Sequence, residues 1–291
     1  MSTAGVVPLG GRLVHLREQA GRRPPVLLLA GCGVPSPSWQ PVVELLTDRQ
    51  VVLLDRPGLL GSPWPGRLPT LEEEVATLTA LVKRLGGPVV LVAHSMAGLH
   101  AEALARIHPE DVLGLVLVDA SVQWRLPRRG ARDLVRRALW QTLARSARLL
   151  TSSTGGRRVA RGVARLVVLR QSSRRTVDPA TALDALAEPE AVASLIAEQA
   201  AYLDQLRDLD QLRQRLSWPR RPTVVLTAGD EGGRRWLVDQ RRLADLLSGR
   251  QVVVEDARHL MMLDSPSVIA GAVRAVSEKR GQLPNPDRRV S

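Results

Sequence analysis

Cysteine is nearly absent from this chain of 291 residues: Cys32 is the only one. No internal disulfide is possible, and a reducing, cytoplasmic setting is the simplest expectation. No apolar run reaches the length that crosses a bilayer. The opening residues 1–11 lack the charged start and continuous apolar stretch of a secretory signal. Phenylalanine is missing altogether and lysine occurs only at Lys83 and Lys279. Neither a metal-ligand cluster nor a dinucleotide fingerprint occurs, so the sequence implies no metal and no cofactor. Without interleaved aromatics or a known binding motif, nucleic acid is not an expected partner.

Acidic residues are missing from one segment in particular. Between Arg125 and Arg175 there are fifteen arginines and a single acid, Asp133. That segment carries +14 of a chain whose total is +12, leaving −2 for all the rest. Base composition can favour arginine over lysine, but it does not remove acids from one stretch.

What the sequence does have is organised around Pro88-Val-Val-Leu-Val-Ala-His-Ser-Met-Ala-Gly98. Val89–Ala93 reads as a strand buried on both faces. Helical spacing begins at Ala97, so Ser95 falls on a tight strand-to-helix turn. Ala93 and Ala97 lie two residues before and after it, with Gly98 next, and a sharp turn needs small residues there. This is the nucleophile-elbow pattern with alanine in both glycine positions.

Around it, strands and helices alternate. Val6-Val7 and Leu13–Leu16, separated by Gly10-Gly11, read as an opening hairpin, with His15 facing solvent. Val26–Ala30 is a buried strand running into the loop Gly31-Cys32-Gly33-Val34-Pro35-Ser36. Val51–Leu54 is another, ending in Asp55-Arg56-Pro57-Gly58. Thr70 and Glu73 form a capping box opening a helix that runs through Leu85. Leu115–Val118 ends in Asp119, and Val224–Thr227 ends in Gly229-Asp230. Trp236–Leu247 reads as a helix, Val252–Val254 as a strand and Pro266–Val276 as a final helix. The pattern implies an α/β fold: a mostly parallel sheet with helices on both faces and ligands bound at the carboxyl ends of the strands. Residues 122–218 break the alternation with helical patterns and read as a cap inserted between two halves of the core, 1–121 and 219–278. Residues 279–291 read as a disordered tail.

The order of elements, the Ala-His-Ser-Met-Ala-Gly elbow, the Asp55-Arg56-Pro57-Gly58 turn and the segment His259-Leu-Met-Met-Leu-Asp-Ser-Pro266 together resemble the α/β-hydrolase superfamily. The resemblance covers roughly Val14 to Val276, the cap being its weakest part. It implies a hydrolase without cofactor, whose nucleophile, acid and base follow in the order Ser, Asp, His. Ser95 matches the nucleophile and His259 the base that takes its proton. Asp230 is the expected acid, Asp119 the alternative seat and Glu231 a third. Backbone N–H groups of Met96 and Cys32 match the oxyanion hole. Ala30-Gly31 stands where the family usually has His-Gly. His94, His100 and His108 are expected to be structural, and Cys32 a small buried residue rather than a second nucleophile.

Gly31, Val34, Trp39, Met96, Met261 and Met262 are expected to line an apolar acyl pocket. Two function classes follow: a serine hydrolase acting on a small apolar ester, thioester or lactone, and a non-catalytic binding protein that kept the fold. Serine at the elbow argues against the aspartate-based chemistry of haloalkane dehalogenases and epoxide hydrolases. The Arg-rich segment 125–175 has Leu134, Val135, Leu139, Leu143 and Leu150 at helical spacing among its arginines. Such a helix either covers the pocket with its apolar face and solvates its arginines, or meets an anionic membrane surface or an acidic substrate.

Overall fold

A strand buried along its whole length needs a partner on each edge and cover on each face. Val89–His94 finds both at the centre of an eight-stranded sheet. The computed structural model describes residues 2–173, 180–230 and 232–278. Its strands are β1 (Ser2–Leu9), β2 (Arg12–Gln19), β3 (Arg22–Leu29), β4 (Arg49–Asp55), β5 (Val89–His94), β6 (Val112–Val118), β7 (Thr223–Ala228) and β8 (Arg250–Val254). Their order across the sheet is β1-β2-β4-β3-β5-β6-β7-β8. The expected opening hairpin, β1 with β2, is antiparallel, as is β2 with β4; the remaining pairs are parallel.

The helices are α1 (Gln40–Val43), α2 (Leu71–Leu85), α3 (Ala97–Ile107), α4 (Ala131–Thr151), α5 (Thr154–Gln171), α6 (Ala180–Ala187), α7 (Pro189–Arg215), α8 (Gly233–Leu246), α9 (Met261–Asp264) and α10 (Pro266–Glu278). Strand alternation sorts the sheet into two cores. Leu27, Leu29, Leu91, Ala93, Leu115 and Leu117 face α2 and α3. Val26, Leu28, Val90, Val92, Val116 and Val118 pack with residues of α1 and α10. Each leucine or valine among them contributes roughly 1.5–3 kcal/mol by leaving water. Both parts of the capping box form, Glu73 N–H to Thr70 Oγ1 and Thr70 N–H to Glu73 Oε2, and α2 ends on Gly86 with φ of +70°.

Helices α4 to α7 intervene between β6 and β7, where the alternation of the sequence breaks. The tail expected over 279–291 lies outside the described residues, as do Arg174, Arg175 and Glu231. One expectation is corrected here. His15 is not a free surface residue: its Nδ1 lies 2.9 Å from Oδ2 of the buried Asp55, because β2 pairs with β4 and brings the two side chains together. Of the readings left open for α4, cover of a cavity holds only at its C-terminal end, where Ala147, Leu150 and Thr151 line one. Arg136 and Arg137 turn inward to Asp204 of α7 at 3.1 and 2.8 Å, and Arg148 reaches Glu190 at 3.0 Å. The leucines face outward instead.

His100 of α3 is buried, its Nε2 2.8 Å from Gln205 Oε1 and its Nδ1 3.8 Å from Glu74 Oε2. Burial pulls its pKa down to about 4, against a partial opposing pull from Glu74. Burial also holds the His94 pKa well below the usual imidazole range. The unfolded chain takes up a proton on His100 near pH 6.5, which the folded ring refuses until about pH 4. The stability this neutral ring permits is complete above the unfolded value and lost as pH falls towards the folded one, by about 3 kcal/mol over that window. Urea unfolding of a His100→Gln variant is expected to show a shallower fall in stability between pH 7 and 4.5 than the parent. Equal slopes would show that His100 does not carry this dependence.

Candidate active site

Strand β5 enters α3 through Ser95 and Met96 alone, and Ser95 takes φ of +52°. For a residue with a Cβ that conformation costs roughly 1–3 kcal/mol unless its surroundings fix it. Here they do. Ser95 N–H donates to Val118 O at 3.1 Å, and Ser95 O accepts from Gly98 N–H and Ser121 N–H, both at 3.0 Å. The approach is tight enough to exclude side chains around it. A Cβ on Gly98 would lie 2.8 Å from Ala120 Cβ, and one on Gly31 would lie 2.8 Å from Ser95 Cβ and 2.7 Å from His94 Nδ1.

From this apex Ser95 Oγ lies 3.0 Å from His259 Nε2 and 3.3 Å from Ser121 Oγ. His259 Nδ1 lies 2.7 Å from Asp119 Oδ2. Asp119 is buried, and its other oxygen accepts from Trp236 Nε1–H at 2.8 Å and Ala228 N–H at 3.1 Å. Three partners on its two oxygens hold this buried carboxylate in one orientation. The acid that meets His259 is therefore Asp119, after β6, rather than the expected Asp230 after β7. Asp230 turns to solvent and accepts from Arg258 Nε–H at 3.0 Å. Its backbone is tied elsewhere, Asp230 N–H donating to Ala257 O at 3.2 Å.

The loop carrying His259 is anchored from both sides. His94 Nε2 lies 2.9 Å from His259 O, its ring neutral through burial, so that it donates to this carbonyl. Asp264 accepts from Arg258 N–H at 2.9 Å and from Ser172 Oγ–H at 2.5 Å. Leu260 N–H donates to Gln171 O, the last residue of α5, at 2.8 Å.

Ser95, Cys32 and Met96 line one small pocket of about 200 Å³ with Ser121, Gln199, Tyr202 and Trp236. Among the described residues no backbone or side-chain acceptor takes the Met96 or Cys32 N–H. Burial, reinforced by the charge of Glu198, pushes the Cys32 thiol well up, which keeps it a neutral thiol at pH 7. Beneath this loop lies a pair that the sequence pattern did not reveal. Glu198 of α7 accepts from Gly33 N–H at 3.1 Å and from Arg56 Nη2–H at 3.0 Å, on the same oxygen. Arg56 and Glu198 are both buried. Arg56 belongs to the Asp55–Gly58 turn quoted above, but its partner comes from 142 residues away, and no local spacing announces it.

A second, larger cavity of about 640 Å³ begins at Cys32, Gly33 and Val34 and runs between α5, α6 and α7, with Leu195, Leu260 and Leu263 in its wall. It is almost wholly apolar. Val34 thus lines a cavity as expected, and Met96 lines the small pocket. Gly31 supplies close approach beneath Ser95 rather than a wall. Trp39, Met261 and Met262 are corrected: each is fully buried in the core on the α1 and α10 side of the sheet, because the short elements carrying them pack there.

A family model described as "Alpha/beta hydrolase family" matches residues 26–272. A pimeloyl-[acyl-carrier protein] methyl ester esterase of Aeromonas hydrophila is 37% identical over 109 residues, 36% of this chain and 41% of that protein. Lipase LipV of Mycobacterium tuberculosis is 36% identical over 85 residues, 29% of this chain and 32% of that protein. The chain therefore spans well under half the length of either curated relative. The crystal structure of the Cif epoxide hydrolase from Acinetobacter nosocomialis superposes with a TM-score of 0.75 at 14% identity, covering 94% of this chain and 88% of the other.

Two substitutions test the forces that hold this site. Ser95→Gly relieves the left-handed strain and is expected to raise the unfolding free energy by about 1 kcal/mol over Ser95→Ala. Glu198→Ala strands the buried Arg56 guanidinium and is expected to lower it by about 3–5 kcal/mol. Urea denaturation followed by circular dichroism measures both; a Glu198→Ala protein as stable as the parent would mean the pair does not hold the loop.

Proposed function

Because the chain belongs to the alpha/beta hydrolase family, and because a hydroxyl, an imidazole and a buried carboxylate lie in one hydrogen-bonded line, we propose that it is a serine hydrolase acting through an acyl-enzyme on Ser95. The observation that carries this reading is the pair of distances at His259: 3.0 Å to Ser95 Oγ and 2.7 Å to Asp119 Oδ2. The substrate class is a carboxylic ester, thioester or lactone with an apolar acyl group. The apolar cavity beginning at Cys32 supports that choice, as do the esterase and lipase among the relatives.

The chemistry follows from the geometry. As Ser95 Oγ attacks the carbonyl carbon, His259 Nε2 takes its proton, and the imidazolium that forms is stabilised through Nδ1–H by Asp119. The carbonyl oxygen becomes an oxyanion facing the Met96 and Cys32 N–H groups. His259 then returns the proton to the departing alkoxide or thiolate, leaving an acyl group on Ser95. Water attacks this acyl group with His259 again as base, releasing the carboxylic acid and the free enzyme. A serine nucleophile distinguishes this reaction from the aspartate-based opening of epoxides and haloalkanes on similar folds. Two observations favour the hydrolase over a non-catalytic member of the fold: a carboxylate stands at hydrogen-bond distance from His259, and Glu198 holds the loop that Ala30-Gly31 opens.

A fluorophosphonate probe with peptide mass spectrometry tests the reading without knowledge of the natural substrate. Labelling is expected at Ser95, lost in Ser95→Ala and suppressed in His259→Ala. Asp119→Asn is expected to slow it on the order of 10⁴-fold. Asp230→Asn, which removes only an exposed ion pair, is expected to stay within about twofold. Labelling that survives Ser95→Ala, or a larger loss in Asp230→Asn than in Asp119→Asn, would overturn it.

A further inference from the structure

Helix α4 is built inside out. Much of its side towards α7 is polar: Asp133, Arg136 and Arg137 form an ion-pair network with Asp204 and Arg207, and Ala144 packs there against Ala193 and Ala197. The opposite side carries Val135, Leu139, Leu143 and Leu150, spaced four, four and seven residues apart, so one stripe runs the length of the helix. Leu134, Leu139, Leu149, Leu150, Val159 and Leu166 each keep between 60% and 75% of their surface in contact with solvent. Single exposed leucines need no explanation, but a contiguous apolar face over two helices marks an interaction site.

Two further observations say what covers it. The first is charge. Among the described residues Arg132, Arg158, Arg165 and Arg170 pair with no carboxylate, and Arg132 lines the same shallow groove as Val135, Leu139 and Leu143. A second copy of the chain would bring one +14 segment against another, whereas an anionic surface is complementary. The second is continuity with the site. Leu150, Val159, Val163 and Val167 are exposed and also line the apolar cavity that ends at Cys32 and Gly33. The cavity therefore opens on the apolar face itself.

We propose that α4 and α5 dock the protein on an anionic lipid bilayer, their leucines and valines entering the acyl boundary and their unpaired arginines meeting the headgroups. The cavity mouth then faces the acyl chains, so the substrate is an ester whose apolar chain is drawn from the bilayer. That last step rests on the hydrolase reading, and docking itself does not.

Co-sedimentation tests docking directly. The protein and its Ser95→Ala variant are both expected to sediment with vesicles of equal parts phosphatidylglycerol and phosphatidylcholine, and not with phosphatidylcholine alone. The binding is expected to weaken at about 0.5 M salt. A Val135→Ser, Leu139→Ser, Leu143→Ser triple variant alters only exposed residues outside the cavity. It is expected to keep its helical circular dichroism and fluorophosphonate labelling while partitioning about tenfold more weakly. Arg132→Gln, Arg158→Gln and Arg165→Gln are each expected to cost about fivefold. No sedimentation with anionic vesicles, or undiminished binding of the triple serine variant, would overturn the proposal. So would a stable dimer that buries this face and leaves vesicles unbound. Since Ser95→Ala reports docking without catalysis, failure of the hydrolase reading would show in labelling and leave this result untouched.

Discussion

The left-handed backbone at Ser95 is the constraint on which the rest of the site depends. A side chain held at φ of +52° projects away from both the strand and the helix it joins. It persists because the central position of β5 gives it neighbours on each side. Val118 of β6 accepts the Ser95 N–H, and Ser121, just beyond β6, donates back to Ser95 O. The same strand end carries Asp119, itself at φ of +43°, so Ser95 and Asp119 are positioned by one pair of adjacent strands. His259 arrives from a more distant part of the chain. That explains why its loop carries so many anchors, from His94, Asp264 and the end of α5.

Where physical cause is local, the sequence was legible. Runs of β-branched residues gave the central strands, Thr70 with Glu73 gave the start of α2, and small residues around Ser95 gave the elbow. His259 was legible too, through the Leu-Asp-Ser-Pro pattern after it; in the structure Asp264 of that pattern accepts the Arg258 N–H and braces the loop. The acid was not legible in the same way. Asp119 and Asp230 both follow a buried parallel strand, and nothing within a few residues of either separates them. What separates them is tertiary: Trp236 and Ala228 donate to Asp119, whereas Arg258 draws Asp230 towards solvent.

The other misreadings have the same origin. Trp39, Met261 and Met262 have the composition of a pocket wall and the positions of loop residues. Their elements are short enough to fold down against the sheet, where they fill core volume. In α4 the hydrophobic periodicity holds, and of the directions it left open the stripe takes the outward one along most of the helix. An apolar stripe normally faces the protein because burial is the strongest term available. Here α7 offers Asp204 and Glu190 instead, and Arg136, Arg137 and Arg148 of α4 pair with them. Periodicity measures amphipathicity and is blind to what the neighbouring helix presents.

That exchange of faces has a consequence for how the molecule holds together. The helices between β6 and β7 are joined to the residues around Ser95 by polar bonds as well as by apolar packing, Leu206 and Leu209 of α7 lying in the core on the α2 and α3 side of the sheet. Glu198 of α7 grips Gly33 beside the oxyanion loop, and the C-terminal end of α5 grips the base loop through Gln171 O and Ser172. A histidine in place of Ala30 would place an anchor for that loop within the sheet domain. Here the anchor comes from α7, with Arg56 as the counter-charge that makes a buried carboxylate tolerable there. The position of the Gly31–Gly33 loop is thereby tied to α7, one of the helices that also form the apolar cavity.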